Sequence, residues 1–184
     1  SGMSIETIPL WSKEKNKKTD FVLNYQHFPK KSYPLKINLD KNEFEFKFSE
    51  NNTYIKIKSP AVRGILKYPD KQVKEKIFSG SFEYIDTTFF KSNNLKDYFP
   101  AINIQSKHVK TSSTIFDNVH IIMTPKDEYI EITKLDFNNL NLAMKSKGKW
   151  FIKGNQNSEI IADIKSDNFG LALKGIGYPN TIKG

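Results

Sequence analysis

Residues 129–137 read YIEITKLDF and predict the fold class of this 184-residue chain. The two isoleucines of this stretch alternate with polar neighbours, which is the period of two that a half-buried β-strand requires. The apolar parity then shifts by one residue, at Leu135 and Phe137. A β-bulge near Thr133-Lys134 would return these side chains to the face of the isoleucines and increase the local twist of the sheet.

The same alternation recurs over much of the chain. It is found in Phe44, Phe46 and Phe48, in Ile55 and Ile57, in Ile102 and Ile104, in Leu140, Leu142 and Met144, and in Ile160, Ala162 and Ile164. Short turn-forming stretches separate these runs, among them Glu50-Asn51-Asn52, Pro125-Lys126-Asp127, Asn138-Asn139, Lys147-Gly148 and Gly154-Asn155. From about Ile115 onward the turns lie close together, and connections of hairpin length require antiparallel neighbours.

We therefore expect a mainly β chain that forms a curled antiparallel meander sheet, either an open groove or a partly closed barrel or sandwich, with one short C-terminal helix. Residues 19–184 would form this β domain. Residues 1–18 contain a Lys-rich segment that predicts no clear element, and Ser1-Gly2 before Met3 is typical of the remnant of a removed tag.

The predicted C-terminal helix begins near Asn168, with Ser166 or Asp167 as its cap. Its apolar face is drawn from Phe169, Leu173 and Ile176. Gly175 or Gly177 can adopt the left-handed closing conformation, and Pro179 prevents continuation. A weaker helical turn is predicted over residues 94–98.

The composition argues against two classes of function. Lys and Arg number 29 against 20 Asp and Glu, but Arg63 is the only arginine and the lysines are spread along the chain. Nucleic-acid recognition favours clustered Arg, so we interpret the charge as a solvated face and expect no nucleic-acid partner. The second class is that of membrane-spanning segments, because no stretch of the sequence approaches the roughly 20 consecutive apolar residues that a membrane helix needs.

The chain also lacks the residue constellations of common catalytic sites. It has no Cys and only three histidines, His27, His108 and His120. His108 and His120 could approach each other on adjacent strands, although two half-buried strand histidines are the simpler interpretation. Ser79-Gly80-Ser81 is not a nucleophile motif and is interpreted as a strand entry. We therefore expect no enzymatic activity, no catalytic residues, no cofactor and no metal site.

Several segments carry a resemblance to a known family. Residues 59–69 read SPAVRGILKYP, and Phe116-Asp117-Asn118-Val119 precedes a Pro-containing turn and the strand that begins at Tyr129. The most specific segment is residues 166–184, SDNFGLALKGIGYPNTIKG. Over about residues 59–184 the chain resembles the AsmA-like YhdP family of bacterial envelope proteins.

The resemblance implies a function without catalysis. Members of this family are long proteins of Gram-negative bacteria that are anchored in the inner membrane, cross the periplasm and help phospholipid to reach the outer membrane. By this resemblance, the chain is a periplasmic section of such a protein. Its partners would be phospholipid acyl chains and neighbouring β repeats of the parent chain, and membrane contact would be made by parts outside this sequence.

The alternating strands suggest which residues would line such a groove. The candidates are Ile102, Ile104, Ile130, Ile132, Leu142, Met144, Ile160 and Ile164. A conduit for acyl chains needs continuous apolar surface, because each CH₂ that leaves a bilayer costs about 0.8 kcal/mol. The alternative is a structural and interaction β-scaffold in which the same side chains fill a core and bind no ligand.

Overall fold

The computed structural model describes residues 3–4, 12–13, 21–25, 34–49, 51–69, 76–89, 100–152 and 158–175. Within them the chain is mainly β, as predicted, with a 3-10 turn at Thr87–Phe89 and one short helix, α1, at Phe169–Gly175. The strands are β1 Met3–Ser4, β2 Ser12–Lys13, β3 Phe21–Tyr25, β4 Pro34–Leu39, β5 Asn42–Phe48, β6 Asn52–Lys58, β7 Val62–Pro69, β8 Ile77–Asp86, β9 Ala101–Lys110, β10 Ile115–Pro125, β11 Tyr129–Asn139, β12 Leu142–Phe151 and β13 Glu159–Lys165.

Strands β3 to β13 form one eleven-stranded sheet in which spatial order follows sequence order, while β1 and β2 pair separately. The sheet is open, with β3 and β13 as its two edges, so neither a closed barrel nor a closed ring forms. Each of the strand groups β3–β8 and β9–β13 is an antiparallel meander.

One pairing departs from the predicted antiparallel meander, because β8 and β9 are parallel. A parallel pair needs a crossover connection of about a dozen residues or more. Residues 87–100, which join the two strands, are long enough to provide it. The sheet is therefore mixed, with two antiparallel meanders joined along a single parallel seam.

The predicted bulge is confirmed. Residue pairing between β10 and β11 steps from Ile122 and Lys134 directly to Met123 and Ile132, which leaves Thr133 as an extra residue on β11. The pairing of β11 with β12 shifts at the same place. The bulge restores the apolar side chains on both of its sides to one face of the sheet.

Two predicted turns are wrong in position. The loop between β11 and β12 is Leu140-Asn141 instead of Asn138-Asn139, so Leu140 is a fully exposed loop residue and not a strand residue. Lys147-Gly148 is not a turn but lies inside β12. A Cβ atom at Gly148 would collide with the backbone of Glu159, so glycine here allows β13 to approach closely.

The cap of α1 also differs from the prediction. The Asn168 side chain accepts a hydrogen bond from the Leu171 N–H at 3.1 Å, so Asn168 is the N-cap, whereas the Ser166 hydroxyl accepts from the Asn168 N–H. Phe169 is 44% exposed and Ala172 is buried, which contradicts the predicted apolar face at Phe169.

Three predictions about helices and turns lie outside the described residues. These are the helical turn over residues 94–98, the turn at Gly154-Asn155, and the helix positions Ile176 and Gly177 with Pro179.

Candidate functional site

Cross-strand pairing aligns one residue from each of ten strands into a row along the sheet, here named the apolar row. From β4 to β13 the row consists of Leu35, Phe46, Ile55, Leu66, Gly80, Ile104, Ile121, Leu135, Ser146 and Ala162. Residues directly opposite each other on neighbouring strands point to the same face. The row therefore gives one face of the sheet, the apolar face, an almost unbroken hydrocarbon surface.

The adjacent residue on each strand, taken on the same side of the apolar row, belongs to the opposite face, and these residues form the polar row. It consists of Lys36, Glu45, Lys56, Ile65, Ser81, Gln105, His120, Asp136, Lys145 and Asp163. Nine of these ten side chains are polar, and only Ile65 interrupts them. One residue of offset along each strand thus separates two faces of opposite chemistry.

All eight residues that the sequence predicts to line a groove lie on the apolar face. Ile104 belongs to the apolar row, and Ile102, Ile132 and Ile160 lie in the adjacent row. Alternation along each strand places the remaining four, Ile130, Leu142, Met144 and Ile164, on the same face.

The eight residues differ in exposure. The two residues on β11 and Leu142 on β12 are the most enclosed, and those on the neighbouring edge strand β13 are the most open. Ile130, Ile132 and Leu142 are buried, Ile102, Ile104 and Met144 are half-buried, and Ile160 and Ile164 are 51% and 43% exposed. The apolar face is therefore occupied by protein near Ile130 and accessible to solvent toward the β13 edge.

The sequence prediction missed part of this face. Ile121 lies in the apolar row, but it sits in the apolar run Ile121-Ile122-Met123, where alternation does not indicate which side chain faces inward. Leu135 follows the bulge, so its face depends on the bulge position. Phe46 and Ile55 were recognised as strand residues, but only pairing across the whole sheet connects them to Ile104.

Phe82 fills the apolar face beside the parallel seam. Its ring lies where Cβ atoms at Gly64 and Gly80 would otherwise project. Phe82 and Val62 are buried in one cluster, and Ile104 packs against it from the other side of the seam. The two glycines thus leave room for one large aromatic side chain that joins the two meanders.

A buried carboxylate closes the end of the parallel seam. The Asp86 side chain is only 4% exposed and accepts hydrogen bonds from the Thr88 hydroxyl, the Thr88 N–H and the Lys110 ammonium group, the last at 3.0 Å. The Thr88 hydroxyl and then Lys110 lower the pKa of Asp86 to about 2, although desolvation opposes them. Asp86 therefore stays ionised at neutral pH and ties β9 to the start of the crossover.

His108 and His120 do not form a pair. His108 Nδ1 lies 2.7 Å from Asp117 Oδ1, whereas His120 Nε2 lies 3.1 Å from Asn103 Oδ1. Burial, and then the charge of Lys134, lowers the pKa of His120. The part of the chain that the structure describes contains no group of three or more His, Cys, Asp or Glu side chains able to hold a metal ion.

Membrane-spanning helices and similarity to known proteins were both sought. None of the helices within the described ranges is long and apolar enough to cross a membrane. Comparisons with protein-family models, with curated proteins and with solved structures give no match for this chain.

Proposed function

We propose that this chain is a non-enzymatic lipid-carrying section of an envelope protein, in which the apolar face of the sheet holds the acyl chains of phospholipid. In this proposal the section lies in the periplasm of a Gram-negative cell and belongs to a protein anchored in the inner membrane. The observation that carries the proposal is the apolar row, which continues across ten paired strands with only Gly80 and Ser146 departing from hydrocarbon.

The dimensions of the face suit this ligand. Strands lie about 4.8 Å apart, so the nine spacings between β4 and β13 span roughly 43 Å. A bilayer core is about 30 Å thick, so the acyl chains of one leaflet extend about 15 Å. The apolar row could therefore accommodate a whole acyl chain and allow it to move along the sheet without leaving hydrocarbon.

The energetics favour contact with acyl chains. Each CH₂ transferred from water to an apolar surface contributes about 0.8 kcal/mol. Phe46, Ile55, Leu66 and Ile121 are half-buried and so retain apolar area for contact with a ligand. Lys36, Lys56 and Lys145 belong to the polar row; they are exposed on the other face and keep it hydrated.

The second candidate function is an interaction scaffold without a ligand. Ile130, Ile132 and Leu142 are at most 4% exposed, and side chains this enclosed are expected of a filled core. The two candidates differ in what they require of the apolar row. A lipid carrier must expose it to hydrocarbon, whereas a scaffold needs it only for packing.

Site-specific photo-crosslinking separates the candidates. Ile104 and Gln105 are neighbours on β9 and point to opposite faces, so they provide a matched pair of positions. A photoreactive benzoylphenylalanine is placed at one position or the other, and the chain is irradiated with vesicles that contain radiolabelled phospholipid. We expect labelled lipid on the chain with the probe at Ile104 and little with the probe at Gln105. Equal labelling at both positions, or none at either, would contradict the lipid proposal.

A further inference from the structure

The edge strand β13 has an unusual combination of properties. It reads EIIADIK over Glu159–Lys165, all seven residues are exposed, and β12 is its only partner among the described strands. Unpaired N–H and C=O groups on such an edge can bind another strand, and most natural sheets protect their edges for this reason. Ile160 and Ile161 are nevertheless 51% and 71% exposed.

The residues of β13 are self-complementary. When two copies of this strand are aligned antiparallel with Ala162 at the centre, Glu159 of each copy lies opposite Lys165 of the other. Ile160 likewise lies opposite Ile164, and the two Ala162 residues face each other. Opposite charges and apolar pairs at directly opposed positions stabilise antiparallel strands. A two-fold axis repeats each favourable pair, as a symmetric interface requires.

We propose that β13 pairs with β13 of a second copy of this chain, about a two-fold axis at Ala162, to join the two sheets into one. Directly opposed residues share a face, so Ile160, Ala162 and Ile164 of both copies lie on the same side of the joined sheet. The apolar faces of the two copies then continue across the interface. The inference does not depend on lipid binding and would hold for a scaffold as well.

The opposite edge is less suited to such an interface. The described side chains of β3, those of Val22, Leu23 and Asn24, carry no charge, so no ion pairs would fix the register of a β3 partner. Pairing of β3 with β13 would be head-to-tail and would extend into filaments. The β13 pair closes after two copies. One position of the β13 pair is not complementary, because Asp163 lies opposite Ile161 of the other copy. Asp163 already has the oppositely charged Lys145 across from it in its own chain.

The size of the interface sets its expected strength. Contact through one seven-residue strand falls at or below the lower end of specific interfaces, about 1,200 Å² in total. We therefore expect a dimer that dissociates on dilution. Sedimentation velocity over a roughly hundredfold concentration range should show a shift from monomer to dimer. A monomer throughout that range would overturn the proposal.

Single cysteines test the register, because the chain has no native Cys. Ala162→Cys should give a covalent dimer with a short bis-maleimide linker. Glu159→Cys alone should not, because the two copies of that position lie about 20 Å apart in this register. A mixture of Glu159→Cys and Lys165→Cys chains should cross-link again. Cross-linking through Leu23→Cys, on the β3 edge, with none through Ala162→Cys would overturn the assignment to β13.

Charge reversal provides a second test on exposed side chains. Lys165→Glu places two like-charged pairs in the interface, and we expect at least a tenfold weaker dimer. The double variant Glu159→Lys with Lys165→Glu restores opposite charges at both ends and should regain most of the affinity. It also places a lysine opposite Lys149, so its recovery cannot come from pairing within the chain. If the double variant is as weak as the single one, the proposed register is wrong.

Discussion

The apolar row and the polar row lie one residue apart on the same ten strands, yet they offer opposite surfaces to a ligand. Eight of ten side chains in the first are hydrocarbon, and nine of ten in the second are polar. Continuity over so many strands requires that every register and every bulge preserve the same alternation. A slip of one residue in most of these strands would place a polar side chain, such as that of Lys36 or Asp163, into the apolar row.

The two faces also differ in what maintains them. The apolar face depends on shape, since Phe82 occupies space left by Gly64 and Gly80, and Gly148 allows β13 to approach. The polar face depends on solvated charges, such as the exposed pair of Lys58 and Glu43 at 3.3 Å. Changes of shape should therefore matter most on the first face, and changes of charge should matter little on the second.

The largest difference between the faces is expected at neighbouring positions of β8. Phe82→Ala removes a buried ring and leaves two glycines uncovered, so it should lower the free energy of unfolding by about 3–5 kcal/mol. Ser81→Ala, one residue away on the polar face, should change it by less than about 0.5 kcal/mol. Chemical denaturation of both variants measures the comparison. Similar effects at the two positions would show that the faces are not distinct in packing.

A smaller difference is expected at β12. Gly148→Val forces a side chain against the backbone of Glu159, and crowding of this kind costs about 1–3 kcal/mol. Lys147→Val, the matched change on the polar face, places a β-branched residue where it fits a strand. Hydrogen exchange of the β13 amides should accelerate in the Gly148 variant alone. Unchanged exchange there would mean that close approach at this position is not needed.

The smallest effect is expected from a comparison of two ion pairs, the buried carboxylate of Asp86 with Lys110 and the exposed pair of Glu43 with Lys58. Asp86 has a pKa lowered to about 2 against an ordinary value of 3.8, so its ionised form stabilises the fold fully above pH 3.8. That contribution declines as the pH falls through about 2. Asp86→Asn should lower stability at neutral pH and flatten the loss between pH 4 and pH 2. In the pair of Glu43 and Lys58, both side chains are 60% exposed. Glu43→Gln should therefore change neither the stability at neutral pH nor its loss between pH 4 and pH 2.

Local sequence patterns predicted much of the fold. The parity shift between Ile132 and Leu135 located the bulge correctly, because alternation depends only on the residues of one strand. The alternating strands also placed Ile104 and its seven companions on one face. The loop at Leu140-Asn141 was misplaced by two residues because Asn138 and Asn139 are typical turn residues that here end a strand.

Other features depend on contacts that local patterns do not contain. The parallel pairing of β8 with β9 is set by a crossover whose length alone does not reveal where the chain returns. Gly148 is typical of a turn in sequence, and only the nearby backbone of Glu159 explains it inside a strand. The full apolar row likewise emerges only when ten registers are known together.

Native mass spectrometry can show whether the apolar face is free to accept hydrocarbon. The chain is incubated with phosphatidylethanolamine vesicles, separated from them and sprayed under gentle conditions, beside an Ile121→Glu variant and a His120→Glu control on the opposite face. We expect added masses of phospholipid on the native chain and the control, and a strong loss in the Ile121 variant. Bare protein mass for the native chain, or equal lipid on all three, would contradict it.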